Sequence, residues 1–420
     1  MTDHDAQRRS ASATTLAFCF LTSALEGFDN SSMGLAAPKL MPELHLSAQH
    51  LGLVLSGVPL GMFLGALLGG RLADALGRKT TLLIAVAMIG AFQFATAFTP
   101  GYLALIVVRV CCGIGIGAAI SNVIALASEV AGETGSVFNV TLVMAGLPAG
   151  GTVATMIAIA GGEQGDWRTN FYVGGLAPLV LASIMAFALP ESREFLKIRT
   201  TEPGRRSTEG VLAALFSRGR ALTTLWLWIS YFTTSVIVYV LVNWTPVLMN
   251  LRGFSKTDAV SVSLPVGLGG VIGPILIGWL MQQRRGFGLL LLCYAGVAVG
   301  LIGLAEVGHD FAMALIAIAV PATLVQVASL TLAGLAPQFY PTLSRGTGTG
   351  AAVGAARLGA ICGPAAIGFL LGAGLRPSQV LWSLVPVAVV AGLAAYVLLV
   401  IGKPALQAQS HPVASTRASI

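Results

Sequence analysis

Charged residues are scarce in this 420-residue chain, where Asp, Glu, Lys and Arg together make up only 10% of the sequence. Soluble globular proteins carry about 25% charged residues, so a water-facing surface cannot be built from the charges present. This shortage excludes a soluble enzyme, a disordered scaffold and a nucleic-acid-binding protein, despite a formal net charge of +7. The surplus of basic residues is therefore informative about membrane topology.

Motifs for metal binding, redox chemistry and nucleotide hydrolysis are also missing. The five cysteines lie inside apolar runs without a CxxC or Cys/His cluster, so we expect neither a disulfide nor a metal site. The five histidines fall in tails or loops, and the sequence has no phosphate-binding loop and no GxSxG motif. We therefore expect no enzyme activity, no cofactor and no ATP hydrolysis.

Long apolar segments fill most of the chain, since 55% of its residues are hydrophobic. A membrane-spanning helix needs about 20 apolar residues, and these runs are too long and too continuous for the strands of a barrel. They predict an all-α integral membrane protein with twelve spans, numbered here 1 to 12. Their approximate limits are 15–38, 50–70, 80–98, 101–126, 136–160, 171–189, 222–246, 258–281, 287–305, 311–334, 347–372 and 379–401.

Basic residues are distributed unevenly between the two sides of these spans. With the N-terminus in the cytoplasm, 17 Lys and Arg residues lie inside. Only five lie outside, namely Lys39, Arg168, Arg252, Lys256 and Arg376. The bias follows the positive-inside rule and predicts that both termini are cytoplasmic. Because Arg outnumbers Lys 19 to 5, we expect a GC-rich genome and hence the inner membrane of a bacterium.

An internal repeat divides the chain into two halves. The segment Gly70–Lys79, which reads GRLADALGRK, follows span 2. A degenerate copy of it, GWLMQQRR at 278–285, follows span 8. We predict an N-terminal six-helix half at 1–190, a cytoplasmic linker at 191–221, a C-terminal six-helix half at 222–401 and a cytoplasmic tail at 402–420. Two parallel six-span halves are the plan of a secondary transporter.

Four charged residues lie deep inside predicted spans, where a charge costs at least about 2.5–3.5 kcal/mol. Glu26 and Asp29 share one face of span 1 because they are three residues apart. They are candidates for proton coupling, since burial and a second carboxylate favour the protonated form of one of them. The alternative is a neutral pair that ties helices together.

Arg109 in span 4 and Arg357 in span 11 remain protonated and must each meet an anion. That anion is a span 1 carboxylate or the carboxylate of a substrate, which the planar guanidinium suits; a permanent structural ion pair is the alternative. Further candidates for substrate contacts, for which simple packing is equally open, are Tyr231, Tyr239, Asn243 and Gln326. Trp244 is expected in the interfacial aromatic belt.

Several of these segments match known motifs. Gly70–Lys79 fits the pattern G-x-L-A-D-x-x-G-R-K, and Arg109 is followed by glycines at 113, 115 and 117. On these motifs the sequence resembles the major facilitator superfamily over essentially its whole length. Within it, the sequence is similar to the aromatic acid:proton symporters, above all the 3-hydroxyphenylpropionate type, through Glu26-Gly27-Phe28-Asp29, where that family has D-G-x-D. It departs from the pattern at Glu26, and at Gln282, which replaces the acid of the second-half motif.

This resemblance implies the major facilitator fold, in which spans 1, 4, 7 and 10 line a central cavity and Arg109 faces the span 1 acids. It also implies a cytoplasmic gate built from Gly70, Asp74, Gly77, Arg78 and Glu129. There Asp74 would accept hydrogen bonds at the start of span 11, and Arg78 would pair with Glu129, only while the cytoplasmic side is closed.

The function expected from these features is proton-coupled import of an aromatic carboxylate, hydroxyphenylpropionate- or hydroxybenzoate-like, by a monomer embedded in lipid. An exporter or exchanger of another organic anion or a drug is the alternative, because an intramembrane acid also suits drug/proton antiport. A transporter-like sensor without flux is a third possibility.

Overall fold

The computed structural model describes residues 3–191, 215–216, 220–282, 286–340 and 345–410, with side chains at 13–129, 139–191, 215–216, 220–273, 288–340 and 345–401. All regular structure in these ranges is helical. Ten of the described helices are long and apolar enough to cross a membrane, and the other two predicted spans also lie on helices. The all-α prediction is confirmed. Most of the linker at 191–221 and the side chains of the tail lie outside the described residues, so those boundaries stay predictions.

The first half contains one helix for each of spans 1 to 6. They are Asp3–Glu43, Ala48–Leu76, Arg78–Thr96, Tyr102–Met144, Gly146–Ala160 and Arg168–Ala188. The fourth helix continues through the loop expected between spans 4 and 5. Span 5 therefore begins on the end of this helix and continues in the next one.

The second half repeats this arrangement, with span 8 divided into a short helix and a long one. The helices of spans 7 to 12 are Ala221–Leu251, Lys256–Ser261 with Leu264–Gln282, Gly286–Glu306, Phe311–Leu335, Arg345–Gly372 and Pro377–Ser410. Trp244 is fully buried and its indole donates to the Pro364 carbonyl at 3.1 Å, so its expected place in the interfacial belt is wrong. Packing between spans 7 and 11 satisfies the indole N–H inside the protein.

The same pairs of positions are packed together in both halves. In the first half, span 1 contacts spans 4, 5 and 6, span 2 contacts span 4, and span 3 contacts spans 4 and 6. In the second half, span 7 contacts spans 10, 11 and 12, span 8 contacts span 10, and span 9 contacts spans 10 and 12. This correspondence supports the division predicted from the repeated motif.

The halves meet through spans 1 and 7, 2 and 11, and 5 and 8. Their close approaches lie between the middle of the bundle and the predicted outer face. A Cβ at Gly34 would lie 2.5 Å from the Asn243 carbonyl oxygen, and one at Gly52 would lie 3.0 Å from the Gly368 Cα. A Cβ at Gly70 or Gly346, at the predicted inner ends, would have no neighbour within 4 Å. Among the described residues, the close approaches between the halves therefore lie at the predicted outer face and in the middle of the bundle.

Candidate functional site

Asp29 and Arg109 form a buried ion pair between spans 1 and 4. The two guanidinium nitrogens Nη1 and Nη2 of Arg109 lie 2.7 and 3.0 Å from the two carboxylate oxygens of Asp29. The side chain of Asp29 is only 1% exposed, and that of Arg109 is 2% exposed. Nη1 also donates to the Gln93 amide oxygen in span 3 at 2.8 Å, and the Cys112 sulfur lies 3.5 Å from Asp29. This is the bidentate geometry in which Arg holds a carboxylate most firmly.

The pair changes the roles assigned to both residues. Arg109 was predicted to bind a substrate carboxylate from the cavity wall, but its fork is already filled by Asp29. Asp29 was predicted to couple protons, but here its charge is compensated by a permanent cation. The physical reason is that two buried charges are tolerated only when paired, and removing either partner typically costs several kcal/mol. The structure thus favours the alternative of a structural ion pair.

Glu26 lies one helical turn from Asp29 in a different environment. Its side chain is 6% exposed and lines a narrow crevice with Ile89, Ile116 and Ala119. Within the described residues it makes no hydrogen bond and no ion pair, although it interacts electrostatically with Arg357 and Asp29. Burial penalises the charged form of a carboxyl group and a nearby cation favours it, so the protonation of such a group responds to a change in its surroundings. Glu26 is the better candidate for a proton carrier of the two acids.

Arg357 lies at the seam between the two halves. Its Nη1 donates to the Tyr239 hydroxyl of span 7 at 3.1 Å and lies 3.5 Å from the sulfur of Met62 in span 2. The side chain is half-buried, and no carboxylate of the described residues lies within ion-pair distance of it. Arg357 therefore offers a partly buried cation, with Glu26 nearby, that an incoming anion could bind.

The other predicted substrate contacts are dispersed. Gln326 lies at the seam between the halves, where a Cβ at Gly270 would be 3.3 Å from its amide nitrogen and 2.6 Å from Pro148. Asn243 is 3% exposed and donates to the Tyr239 carbonyl, and Tyr231 is packed in a core cluster of the second half. Of these residues, Tyr239 contacts Arg357 and Gln326 lies at the seam, so these two stay the candidates for substrate contacts.

The predicted gate residues lie at the predicted inner side. Gly77 has a φ of 93°, which favours glycine, and ends span 2 so that span 3 can begin at Arg78. Gly70 and Asp74 are exposed, and in the described part of the chain Asp74 makes no hydrogen bond with span 11. The contact between Asp74 and the start of span 11 stays a prediction.

Arg78 and Glu129 form the expected ion pair within the first half. The expectation that the pair exists only while the cytoplasmic side is closed stays a prediction. A further contact, which the sequence did not indicate, is that Glu191 accepts the Lys79 backbone N–H at 3.0 Å. An anion at the first turn of span 3 is favoured by the helix dipole.

Polar contacts close the predicted outer face. Glu163, in the loop after span 5, accepts the Thr257 backbone N–H of the second half at 2.7 Å, and this hydrogen bond lowers the pKa of Glu163. Within the first half, Glu43 accepts from Arg168 at 2.6 Å and from Trp167 at 2.7 Å, which lowers the pKa of Glu43. Sequence reasoning had identified the basic residues of this face but not their acidic partners.

Further residues of the site carry little or no signal in the sequence. Gln93 and Met62 are uncharged and lie in apolar runs, so only the fold shows that they contact the two arginines. Glu163 could have been noticed as an acid in a short loop, but its partner is a backbone N–H nearly a hundred residues away in the chain. The signals that the sequence does contain are the charges at mid-membrane depth.

Comparison with known proteins places this geometry among transporters. The sequence model of the Major Facilitator Superfamily matches residues 19–353. The 3-(3-hydroxy-phenyl)propionate transporter of Escherichia coli is 37% identical over 385 residues, covering 92% of this chain and 93% of that protein. The 4-hydroxybenzoate transporter PcaK of Pseudomonas aeruginosa is 34% identical, with 87% and 88% covered. A gallate transporter of Pseudomonas putida is 30% identical, with 86% of each covered.

Solved structures show the same fold. A D-xylose-proton symporter superposes with a TM-score of 0.78 at 18% identity, over 91% of this chain and 96% of that one. The inward-open xylose transporter XylE from E. coli superposes with a TM-score of 0.74, over 95% and 99%.

Proposed function

This chain belongs to the major facilitator superfamily and is a multi-pass membrane transporter rather than an enzyme, and from that premise we propose that it imports an aromatic carboxylate together with protons. The relatives that match nearly its full length are named for aromatic acids. The observation that carries the proposal is Arg357, a half-buried cation at the seam between the halves with no carboxylate in ion-pair distance among the described residues.

The substrate carboxylate binds Arg357, and the Tyr239 hydroxyl orients the guanidinium. An aromatic anion leaving water needs a cation, and a hydrogen bond to a charged group contributes about 1.5–3 kcal/mol. Gln326 is positioned to hydrogen-bond a ring hydroxyl. Asp29 and Arg109 hold spans 1 and 4 together and do not touch the substrate.

Proton coupling follows because Glu26 and the substrate carboxylate compete for the positive charge of Arg357. In the empty site the charge of Glu26 is compensated in part by Arg357. A substrate anion on Arg357 removes that compensation, so protonation of Glu26 becomes favourable. Because linkage is reciprocal, protonation of Glu26 also strengthens substrate binding. The loaded site is then close to neutral, and the two halves can rock around it.

The chain is oriented with both termini in the cytoplasm of a bacterial cell, as the 17 to 5 distribution of basic residues supports. With this orientation, the contacts between the outer ends of the halves lie on the periplasmic side, and substrate is released on the cytoplasmic side when the inner ends separate. The gate residues Gly70, Asp74, Gly77, Arg78 and Glu129 lie on that side and act on conformation rather than on substrate. A cationic drug as substrate is disfavoured, because Arg357 would repel it.

Uptake of 3-(3-hydroxyphenyl)propionate into proteoliposomes, with and without an inward-directed proton gradient, tests the proposal. We expect the gradient to drive accumulation by the wild type. Glu26→Gln should still equilibrate the substrate but should not concentrate it, and its substrate affinity should no longer rise as the pH falls. Concentrative uptake by Glu26→Gln would refute the role of Glu26, and efflux or an absence of flux would favour an exporter or a sensor.

A further inference from the structure

A second cavity lies at the predicted outer face, separate from Arg357. It has a volume of about 250 Å³ and lies between the outer ends of spans 1 and 5, the loop before span 6 and the short helix Lys256–Ser261. Ligand pockets for drug-sized molecules measure about 300–1,000 Å³, so this one suits a smaller molecule with a single ring. The cavity belongs neither to the ion pair of Asp29 nor to the gate.

Two lysines contribute charge to this cavity. Lys39 is held at its edge, because its ammonium group donates to the carbonyls of Gly162 at 2.6 Å and Gly165 at 2.8 Å. Lys256 also lines the cavity, and Lys39 interacts electrostatically with Glu163, Lys256 and Asp166, so the charge of Lys39 is partly compensated by acids. Within the described residues, the side chain of Lys256 makes no hydrogen bond and no ion pair. An ammonium group without a partner beside an apolar cavity is a position at which an anion would be stabilised.

The remaining lining is mainly apolar. Leu35, Ile157 and Val260 present hydrocarbon surface to the cavity. The one acid that lines it, Asp166, is half exposed and is engaged by Arg168 through the backbone N–H at 2.9 Å and the guanidinium at 3.5 Å. The cavity therefore combines an apolar wall with cationic groups, which is the complement of an organic anion with a compact apolar body.

We propose that this outer cavity is a regulatory site for a single-ring organic anion, which binds between Lys39 and Lys256 and holds the outer face closed. Its walls come from both halves, since Leu35, Lys39 and Ile157 belong to the first and Lys256 and Val260 to the second. The cavity exists only while the outer ends of the halves are together. A ligand that binds one conformation only shifts the population toward it.

Transport slows as a consequence, because substrate loads from outside only in the outward-open state. At a ligand concentration ten times the dissociation constant, the outer-closed population rises about 11-fold relative to the outward-open one. The regulatory consequence rests on the proposed direction of transport, whereas the existence of the site does not. The transported aromatic carboxylate itself has the required chemistry, so the site would make uptake self-limiting at high external concentration.

Equilibrium dialysis of the purified protein with radiolabelled 3-(3-hydroxyphenyl)propionate tests the site. We expect two molecules bound per wild-type chain, one in Lys256→Gln, one in Arg357→Ala and none in the double variant. Arg376→Gln, which removes another predicted outer cation far from the cavity lining, should still bind two. The neutral amide of the ligand should not bind the outer site.

One bound molecule in the wild type, or two in Lys256→Gln, would overturn the proposal. Two molecules bound by Arg357→Ala and one by the double variant would instead remove the proposed central site and leave the outer one standing. In proteoliposomes, uptake by the wild type should fall at high external substrate, whereas Lys256→Gln should keep the same KM and lose the inhibition. Equal inhibition in both proteins would also overturn the regulatory role.

Discussion

The two arginines inside the membrane show how one residue type takes different roles in different surroundings. Arg109 is 2% exposed and binds both carboxylate oxygens of Asp29. Arg357 is half-buried, and its polar contacts among the described residues are the Tyr239 hydroxyl and the Met62 sulfur. From the sequence both residues are cations near the middle of a span. The difference arises across the helix interfaces, because the partner of Arg109 lies 80 residues away in span 1.

Substitution of each arginine by alanine should separate these roles. Arg357→Ala should weaken binding of the aromatic acid about 10- to 100-fold, because a charge-assisted hydrogen bond is lost. Its effect on the neutral amide analogue should be small. Arg109→Ala should weaken both ligands alike and lower the thermal stability, since an unpaired buried Asp29 costs about 3–5 kcal/mol.

Binding of the acid and of its amide to detergent-purified protein, together with thermal unfolding curves, measures both effects. Arg357→Lys, which keeps the charge, should retain part of the acid binding. Selective loss of acid binding in a stable Arg109→Ala protein would reverse the two assignments.

At the scale of elements, the junction between the helices of spans 2 and 3 is fixed to its own half. Arg78 pairs with Glu129 at the end of span 4, and Glu191 accepts the Lys79 N–H from beyond span 6. Asp74 lies exposed in the last turn of the helix Ala48–Leu76, next to this junction. The junction is thus held within the first half, and we expect Asp74 to meet span 11 when the inner side closes.

Asp74→Asn should therefore change conformation and leave binding intact. The loss of one anion at the start of span 11 weakens the inner-closed state by about 0.3–1 kcal/mol, which is about a two- to fivefold change in population. Transport should slow, while substrate affinity stays within a few-fold of the wild type. Cysteine labelling from both sides measures the accessibility, and Arg71→Gln at the end of the same helix is the matched control. A loss of binding without a change in labelling would contradict this role.

The hydrogen bond from Thr257 to Glu163 contributes a pH-dependent term to outer closure. Its acceptor has a pKa below the ordinary value of 4.5, so its contribution is complete above that value and is lost only as the outer pH falls through the lowered pKa. Outer accessibility of the wild type should thus be constant between pH 6 and 8. Glu163→Gln should raise it about two- to fivefold at pH 7, the range for an exposed charged contact.

Labelling of a cysteine introduced at Ala36, which is 4% exposed in the closed outer seam, measures this accessibility. Asp258→Asn, in the adjacent short helix, should leave it unchanged. A wild-type protein that opens between pH 8 and 6 would show that another group controls closure.

For the whole molecule, the sequence allowed prediction of the helices and of the two halves, because long apolar runs and a repeated motif are local signals. The pairing of spans 1 with 5 and 7 with 11 repeats as that motif suggests. The buried partners of Arg109 and the hydrogen bond at Glu163 could not be predicted, because each of these contacts joins residues that are distant in the chain. At the seam, backbone atoms of the two halves come into direct contact, and these contacts limit how closely the halves approach. They therefore also affect the conformation.

Glycine at the seam should control the balance between the two conformations. A Cβ at Gly34 would lie 2.5 Å from the Asn243 carbonyl oxygen and 2.7 Å from its Cα, so Gly34→Ala cannot be accommodated while spans 1 and 7 stay in contact. Overpacking of this kind costs about 1–3 kcal/mol, which shifts the population toward the outward-open state about 5- to 150-fold. Labelling of the Ala36→Cys reporter from outside should rise accordingly.

Two matched glycines distinguish a shift in conformation from a loss of stability. A Cβ at Gly113 would lie 2.3 Å from the Val58 carbonyl oxygen, inside the first half, so Gly113→Ala should lower the thermal stability without opening the outer face. Gly354→Ala meets open space and should change neither property. The steric clash that Gly34→Ala introduces exists only in the outer-closed state. Rotation of the halves relieves this clash without disturbing the packing inside either half. If Gly34→Ala destabilises the protein but labelling at residue 36 does not rise, the halves do not move as separate bodies about this contact.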